Sequence, residues 1–318
     1  MSFFQYINYP SWISPEIIPG FFVRWYAVMY LVAFGITYLL FVKQIKRDKY
    51  SIKKDVASDY IFYIMIGLVV GARIFSTLVY EIDDYYRNAP WLIFWPFRNG
   101  QFVGFQGMSY HGGVIGGITA ALIFTKVKKL SFLDLGDYLC TALPLGFTFG
   151  RLGNFINGEL YGRITTSPLG MIFKTTPLTH RFNASKQWVQ DFATKINMDI
   201  SGQTLVNLPR HPSQLYEAFF EGVFLWFLMW FVVKRFHKFK GFMLSMYLIL
   251  FGFIRFCVEY FRQPDEGLDF PIALGPPSGI YEFKSFLNIT TGQILSLGMA
   301  VTGIILLIIF RLYSKKNE

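Results

Sequence analysis

Seven stretches of this chain are apolar for long enough to cross a hydrocarbon layer, which takes about 20 mostly apolar residues in helical form. They lie at residues 21–42, 60–80, 109–125, 132–151, 216–233, 242–261 and 294–310. The third and fourth carry the weakest signal: one is rich in glycine, and the other contains Asp134, Asp137 and Pro144. The pattern predicts an all-α polytopic membrane protein of about seven transmembrane helices. Residues 152–215 break the apolar rhythm, with a turn signal at Ser167-Pro168-Leu169-Gly170 and a helix-like stretch at 185–196. A structureless loop of that length is uncommon in a compact protein, so a small folded domain of mixed structure is expected there. The chain then divides into 1–151, holding helices 1 to 4 behind an N-terminal segment, a head at 152–215, and 216–318, holding helices 5 to 7 and a tail.

Composition agrees with a membrane protein. Hydrophobic residues make up 53%, aromatics 19% and charged residues only 16%, against about 25% charged in soluble domains. The net charge of +10 would raise nucleic acid as a partner in a soluble protein. Here the basic residues are segregated instead. Residues 43–54, 126–129, 234–240 and 311–316 together hold 16 of the 30 Lys and Arg residues, and alternating helices put all four segments on one face. That face is the cytoplasmic one by the positive-inside rule, so the N-terminus is expected outside, the C-terminus inside, and the head on the outer face. Residues 1–20 contain no Lys or Arg, so the basic start of a cleavable signal is missing and the first run is expected to persist. Cys140 and Cys257 both fall in apolar runs and are expected as small buried residues. No cysteine–histidine spacing suggests a metal.

Charges inside the apolar runs point to function, because each is costly in lipid. Arg24, Arg73, Arg151 and Arg255 all fall in the outer half of their runs, with Arg151 closing the fourth. Glu259 stands at similar depth. Arg255, Glu259 and Arg262 follow a spacing that would align them on one helical stripe. Positive charge is then in surplus at outer-leaflet depth, and arginine's planar fork suits phosphate. An anionic lipid headgroup is the ligand this predicts. His111 opens the third run at the same depth, ahead of Gly112, Gly113, Gly116 and Gly117. The glycines suit close helix packing, while the imidazole is a side chain able to accept a proton near neutral pH. The densest polar run, Arg151-Leu-Gly-Asn154-Phe-Ile-Asn157-Gly-Glu159-Leu-Tyr161-Gly162-Arg163, leaves the fourth helix.

At these residues the sequence resembles the prolipoprotein diacylglyceryl transferases of the bacterial inner membrane, over nearly its whole length. The resemblance is carried in order by Arg24-Trp25-Tyr26 with Met29-Tyr30, by Gly71-Ala72-Arg73, by Gly107-Met-Ser-Tyr-His111-Gly-Gly-Val-Ile-Gly116, by Gly150 through Arg163, by Arg210-His211-Pro-Ser-Gln214-Leu-Tyr216-Glu217, and by Arg255 through Glu259-Tyr-Phe-Arg262-Gln-Pro264. It implies transfer of the diacylglyceryl part of phosphatidylglycerol to the lipobox cysteine of a preprolipoprotein signal peptide, giving a thioether and glycerol phosphate. It also implies a multi-pass protein with its site toward the periplasm, no metal and no organic cofactor. Phe251 stands where some members have tyrosine, so a hydroxyl there would be dispensable in this chain.

The chemistry needs a thiolate and a stabilised leaving phosphate. On the resemblance, His111 is the expected base, and Arg151 and Arg255 hold the phosphate. Tyr26, Arg73, Asn154, Asn157, Glu159, Gly162, Glu259 and Arg262 are expected to bind or orient substrate. A rival class, an anion channel or transporter, would carry charges through the full depth or show inverted repeats, and neither is visible. A lipid-binding scaffold without catalysis would tolerate loss of His111.

Overall fold

The computed structural model describes all residues except 1–5, 19–23, 49, 51, 81–85, 87, 99, 103–106, 265–266, 268–269, 277–278 and 317–318. Two compact units result, one formed by Met1–Thr37 with Leu139–Glu318 and the other by Tyr38–Tyr138. The protein is mostly helical, and each apolar run of the sequence coincides with a helix. These are α1 (Trp25–Arg47), α2 (Lys54–Phe75), α3 (Tyr110–Val127), α4 (Phe132–Asn157), α6 (Ser213–Phe236), α7 (Phe242–Val258) and α8 (Thr291–Lys316), with the short polar α5 (Gln187–Lys195) between α4 and α6. Among the described residues, four helices are long and apolar enough to cross a membrane: Trp25–Arg47, Lys54–Val79, Ser213–Phe236 and Thr291–Lys316. Phe242–Val258 is apolar but shorter. The architecture is that of a polytopic membrane protein.

Helix ends depart from the apolar runs in instructive ways. Arg151 does not close α4. The helix continues to Asn157 and stops where Gly158 takes a left-handed φ of 64°, a conformation open to a residue without Cβ. At the other site helix the reverse happens: α7 ends at Val258, and Glu259 is its cap. Pro264 follows closely, and a helix rarely runs up to a proline. Arg262 therefore lies off the helix, in a bridge with Gly162, and the single stripe expected for Arg255, Glu259 and Arg262 does not form. Cys140 is buried as expected, but Cys257 is exposed on α7. Lipid solvates an apolar helix face as well as protein does, so apolar residues there need not turn inward.

In the 38–138 unit, α2 and α3 meet along a seam of glycines. A Cβ on Gly71 would sit 2.7 Å from the Cα of Gly116, and one on Gly112 would meet the Gly71 carbonyl and the Phe75 side chain. Gly67 faces Gly116 in the same way. Both helices thus contribute a small-xxx-small row, and their backbones touch. An aromatic group of Phe41, Tyr60 and Phe124 packs beside it.

In the other unit, α6 is wound wide, as π-helix over Ala218–Phe224 and again over Leu228–Val232. Thr148 of α4 donates to the carbonyl of Ala218 at 3.2 Å, where the wide turns begin, and a Cβ on Gly222 would collide with that threonine. A side chain inserted at a helical carbonyl is a recognised cause of such distortion. The segment that follows α4 is of mixed structure. Phe182–Asn183 pairs antiparallel with Leu205–Val206, and Met171–Ile172 pairs parallel with Ile7–Asn8. Its core gathers Ile164, Val189, Val206 and Leu208.

Candidate active site

Five charged side chains meet between α4, α6 and α7. Arg151 Nε lies 2.9 Å from Glu217 Oε2, and Arg255 Nη1 lies 3.1 Å from the same oxygen. Arg255 Nη1 also reaches Glu221 Oε1 at 3.3 Å, and its Nη2 reaches Glu259 Oε2 at 2.8 Å. Glu217 and Glu221 are fully buried and Glu259 nearly so. The cluster sets three carboxylates against two guanidinium groups, so the surplus of positive charge expected here is absent among these five side chains. Buried charges persist only when paired, and Arg255 supplies most of the pairing. Its donors are committed to acids, whereas Arg151 meets Glu217 through Nε. The Arg151 guanidinium also rests 4.8 Å over the ring of Phe147, which meets Phe251 edge to face at 5.6 Å. The ring at 251 is thus part of the support under Arg151.

Glu259 has a second setting. Thr290 and Gln293 cap α8 reciprocally: Gln293 Oε1 accepts from the Thr290 amide at 2.9 Å, and Thr290 Oγ1 accepts from the Gln293 amide at 3.1 Å. This is a capping box. The Glu259 carboxylate lies against this helix start, close enough that a Cβ on Gly292 would touch it.

A second polar group surrounds the exit of α4. Glu159 Oε1 accepts from Asn154 Nδ2 at 3.0 Å and Asn157 Nδ2 at 3.2 Å. Asn154 is buried while Glu159 is exposed. Tyr26 bonds Tyr30 at 3.0 Å and packs against Gly153, where a Cβ would come within 3.2 Å of the tyrosine ring. Gly162 is a crossing point. Its amide donates to the His211 carbonyl at 2.8 Å, and a Cβ there would run into His211 and the Phe261 carbonyl. Arg163 then donates from Nε to the Arg262 carbonyl at 2.9 Å, tying the loop after α4 to the segment after α7.

Arg73 and His111 belong to the 38–138 unit. Arg73 is buried and donates to the Ile93 carbonyl at 2.7 Å, the Gly107 carbonyl at 3.2 Å and the Tyr86 hydroxyl at 3.0 Å. Its guanidinium thus braces the segment between α2 and α3. His111 is exposed at the start of α3, in edge contact with Tyr110.

Two comparisons bear on what these groups serve. The family model described as prolipoprotein diacylglyceryl transferase matches residues 14–309. The chain belongs to this family. The phosphatidylglycerol–prolipoprotein diacylglyceryl transferase of Treponema denticola is 50% identical to it over 98% of this chain and 96% of the relative. That of Treponema pallidum is 46% identical over 98% and 97%, and that of Borrelia garinii 42% over 98% and 96%.

For this diacylglyceryl transferase family member, reading the sequence brought out the arginines and Glu259 but gave no role to the two acids of α6 that claim them. Glu217 and Glu221, four apart in an apolar run, were the available signal. Ser213, Gln214, Thr290 and Gln293 were also missed, because caps and clamps act on backbone that only the fold brings near. Between α4 and α6, burial pulls the Arg163 guanidinium down to about 10, still charged at neutral pH, and lowers that of Arg210. Arg210 is boxed by the rings of Tyr161, Phe182 and Tyr281. Burial, helped by Arg163, holds His211 down to about 4, so it is neutral near pH 7.

Proposed function

We propose that this enzyme transfers the diacylglyceryl group of phosphatidylglycerol to the cysteine thiol of a prolipoprotein, the first step of lipoprotein maturation. The sulfur forms a bond to the glycerol carbon that bears the phosphate ester, the carbon–oxygen bond breaks, and glycerol phosphate leaves with the electron pair. The single observation that carries this reading is the pairing of Arg151 and Arg255 on Glu217 within apolar helices of a member of this family.

In this reading Arg151 takes the phosphate through its Nη edge, where developing charge most needs a donor. Arg255 supports the phosphate from behind, fixing Glu217 and through it Arg151, with Glu259 orienting Arg255. Asn154, Asn157 and Glu159 receive the glycerol headgroup, with Tyr26 beside them, and Gly162 and Arg262 shape the floor. His111 takes the thiol proton, on the chemistry of imidazole, and Arg73 holds the substrate side of its own unit in shape. Seven helices cross the bacterial inner membrane with the N-terminus out and the C-terminus in, supported by the segregation of basic residues. The site then faces the periplasm, residues 152–215 form the periplasmic head, and the acceptor is the lipobox of a preprolipoprotein signal peptide.

The test incubates purified protein with phosphatidylglycerol and a lipobox peptide and measures glycerol phosphate release. Release that depends on both substrates and on Arg151 is expected. Release unaffected by Arg151→Ala would overturn the assignment.

A further inference from the structure

The motif Arg210-His211-Pro212-Ser213-Gln214 has no part in the reading above, yet its last two residues open α6 directly beneath the exit of α4. Ser213 Oγ donates to the Leu160 carbonyl at 3.1 Å, and Gln214 Nε2 donates to the Glu159 carbonyl. Two consecutive side chains therefore grip two consecutive carbonyls. Both are fully buried, at 0% and 1% exposure.

The turn they grip is one that L residues resist. Gly158 and Leu160 both have left-handed φ values, 64° and 55°. Glycine adopts this freely, but leucine carries a Cβ that crowds its own carbonyl and lacks the short polar side chain that lets Asn or Asp tolerate it. Burial of the leucine does not explain the conformation, since its side chain is 43% exposed. What holds it is the grip on its carbonyl and on the one before, with Thr175 Oγ1 donating to the Gly158 carbonyl from the other side. The second amide atom of Gln214, Oε1, is buried without a hydrogen bond. Rotating the amide would set oxygen against oxygen, so its orientation is fixed by the donor bond to Glu159. Strained backbone persists where its surroundings over-determine it, and such places cluster at functional sites. Here the residue inside the strained turn is Glu159, whose carboxylate is aimed at Asn154 and Asn157.

We propose that Ser213 and Gln214 are positioning residues: they hold the left-handed turn 158–160 so that Glu159 presents its carboxylate, already oriented by two amides, to the hydroxyls of the glycerol headgroup. The inference rests on the reading of Glu159 as a headgroup residue.

Gln214→Met keeps the volume and removes the donor. The expected result is a KM for phosphatidylglycerol raised roughly tenfold, about what one buried hydrogen bond is worth, with kcat and the KM for peptide little changed. A purely structural role would lower the fraction of folded enzyme and leave KM alone. Leu160→Gly, which removes the steric objection to the turn, is expected to restore most of the lost KM in the Gln214→Met background. Failure of that rescue overturns the clamp. If Glu159→Gln raises KM and Gln214→Met does not, the clamp alone is wrong. If Glu159→Gln leaves KM unchanged, the headgroup assignment fails and the inference falls with it. Should Gln214→Met not fold, Ser213→Ala makes the same comparison through the neighbouring carbonyl.

Discussion

Arg151 and Arg255 share one oxygen: Glu217 Oε2 lies 2.9 Å from the Nε of the first and 3.1 Å from the Nη1 of the second. The carboxylate couples two guanidinium groups that sit on different helices. Glu217→Gln keeps the shape and removes the charge. It is expected to lower kcat by about 10²–10³, the usual effect of losing an aligned charged donor, because Arg151 is no longer held in place. Glycerol phosphate release measured beside thermal unfolding checks this, and a kcat within a few-fold of the parent refutes the coupling.

The two arginines should fail differently. Arg255→Leu takes the paired guanidinium from Glu221 and Glu259 and leaves Glu217 with Arg151 alone, and breaking a buried ion pair from one side costs about 3–5 kcal/mol. Arg151→Leu removes a partner from Glu217 alone, so it should cost activity more than stability. Unfolding temperatures of both variants in detergent, read against their activities, separate the roles. Equal loss of stability in the two would contradict the division.

The glycine seam makes a position-by-position forecast. A Cβ at Gly113 meets Ala72 and Leu68 at ordinary 3.5 Å contact, whereas one at Gly116 comes within 3.0 Å of the Gly67 and Gly71 backbones. Gly113→Ala should be tolerated. Gly116→Ala should destabilise by at least the roughly 1–3 kcal/mol of overpacking, since backbone cannot step aside as a side chain can. The yield of monodisperse protein and its unfolding temperature decide between them.

A pH effect follows from His211. Below the ordinary imidazole value of about 6.5, the unfolded chain takes up a proton at His211. The folded chain, with that group held down to about 4, does not. Stability is therefore complete above about pH 6.5 and falls as pH drops from there toward 4. His211→Asn should flatten that slope, and unfolding curves collected across pH 4 to 7.5 would reveal it.

How much of this was legible beforehand differs by level. The apolar runs located the long helices among the described residues, because in lipid the backbone must satisfy itself and the helix is the available form. Their ends were not legible. Nothing between Arg151 and Asn157 stops a helix, so α4 runs on to Asn157, while α7 stops early ahead of Pro264. Half of the glycine seam was visible on α3, and its partners Gly67 and Gly71 on α2 emerged once the helices were paired. Counting Lys and Arg by depth found Arg151 and Arg255 but misjudged their surroundings. Whether a charge is balanced depends on which helices are neighbours, and spacing along one helix does not say that. Leu160 gave no warning at all, since an exposed leucine in a left-handed turn runs against its local preference.

The reciprocal cap of Thr290 and Gln293 has a consequence for Glu259. By using its side chains on its own first turn, α8 begins at the carboxylate rather than short of it, and the unpaired amide end of a helix behaves like a fraction of a positive charge. The acid is thus countered from two directions, by a guanidinium and by a peptide dipole. Of these, the dipole is fixed in the backbone, so Glu259 keeps a counter-charge even where Arg255 is replaced, which Glu221 does not.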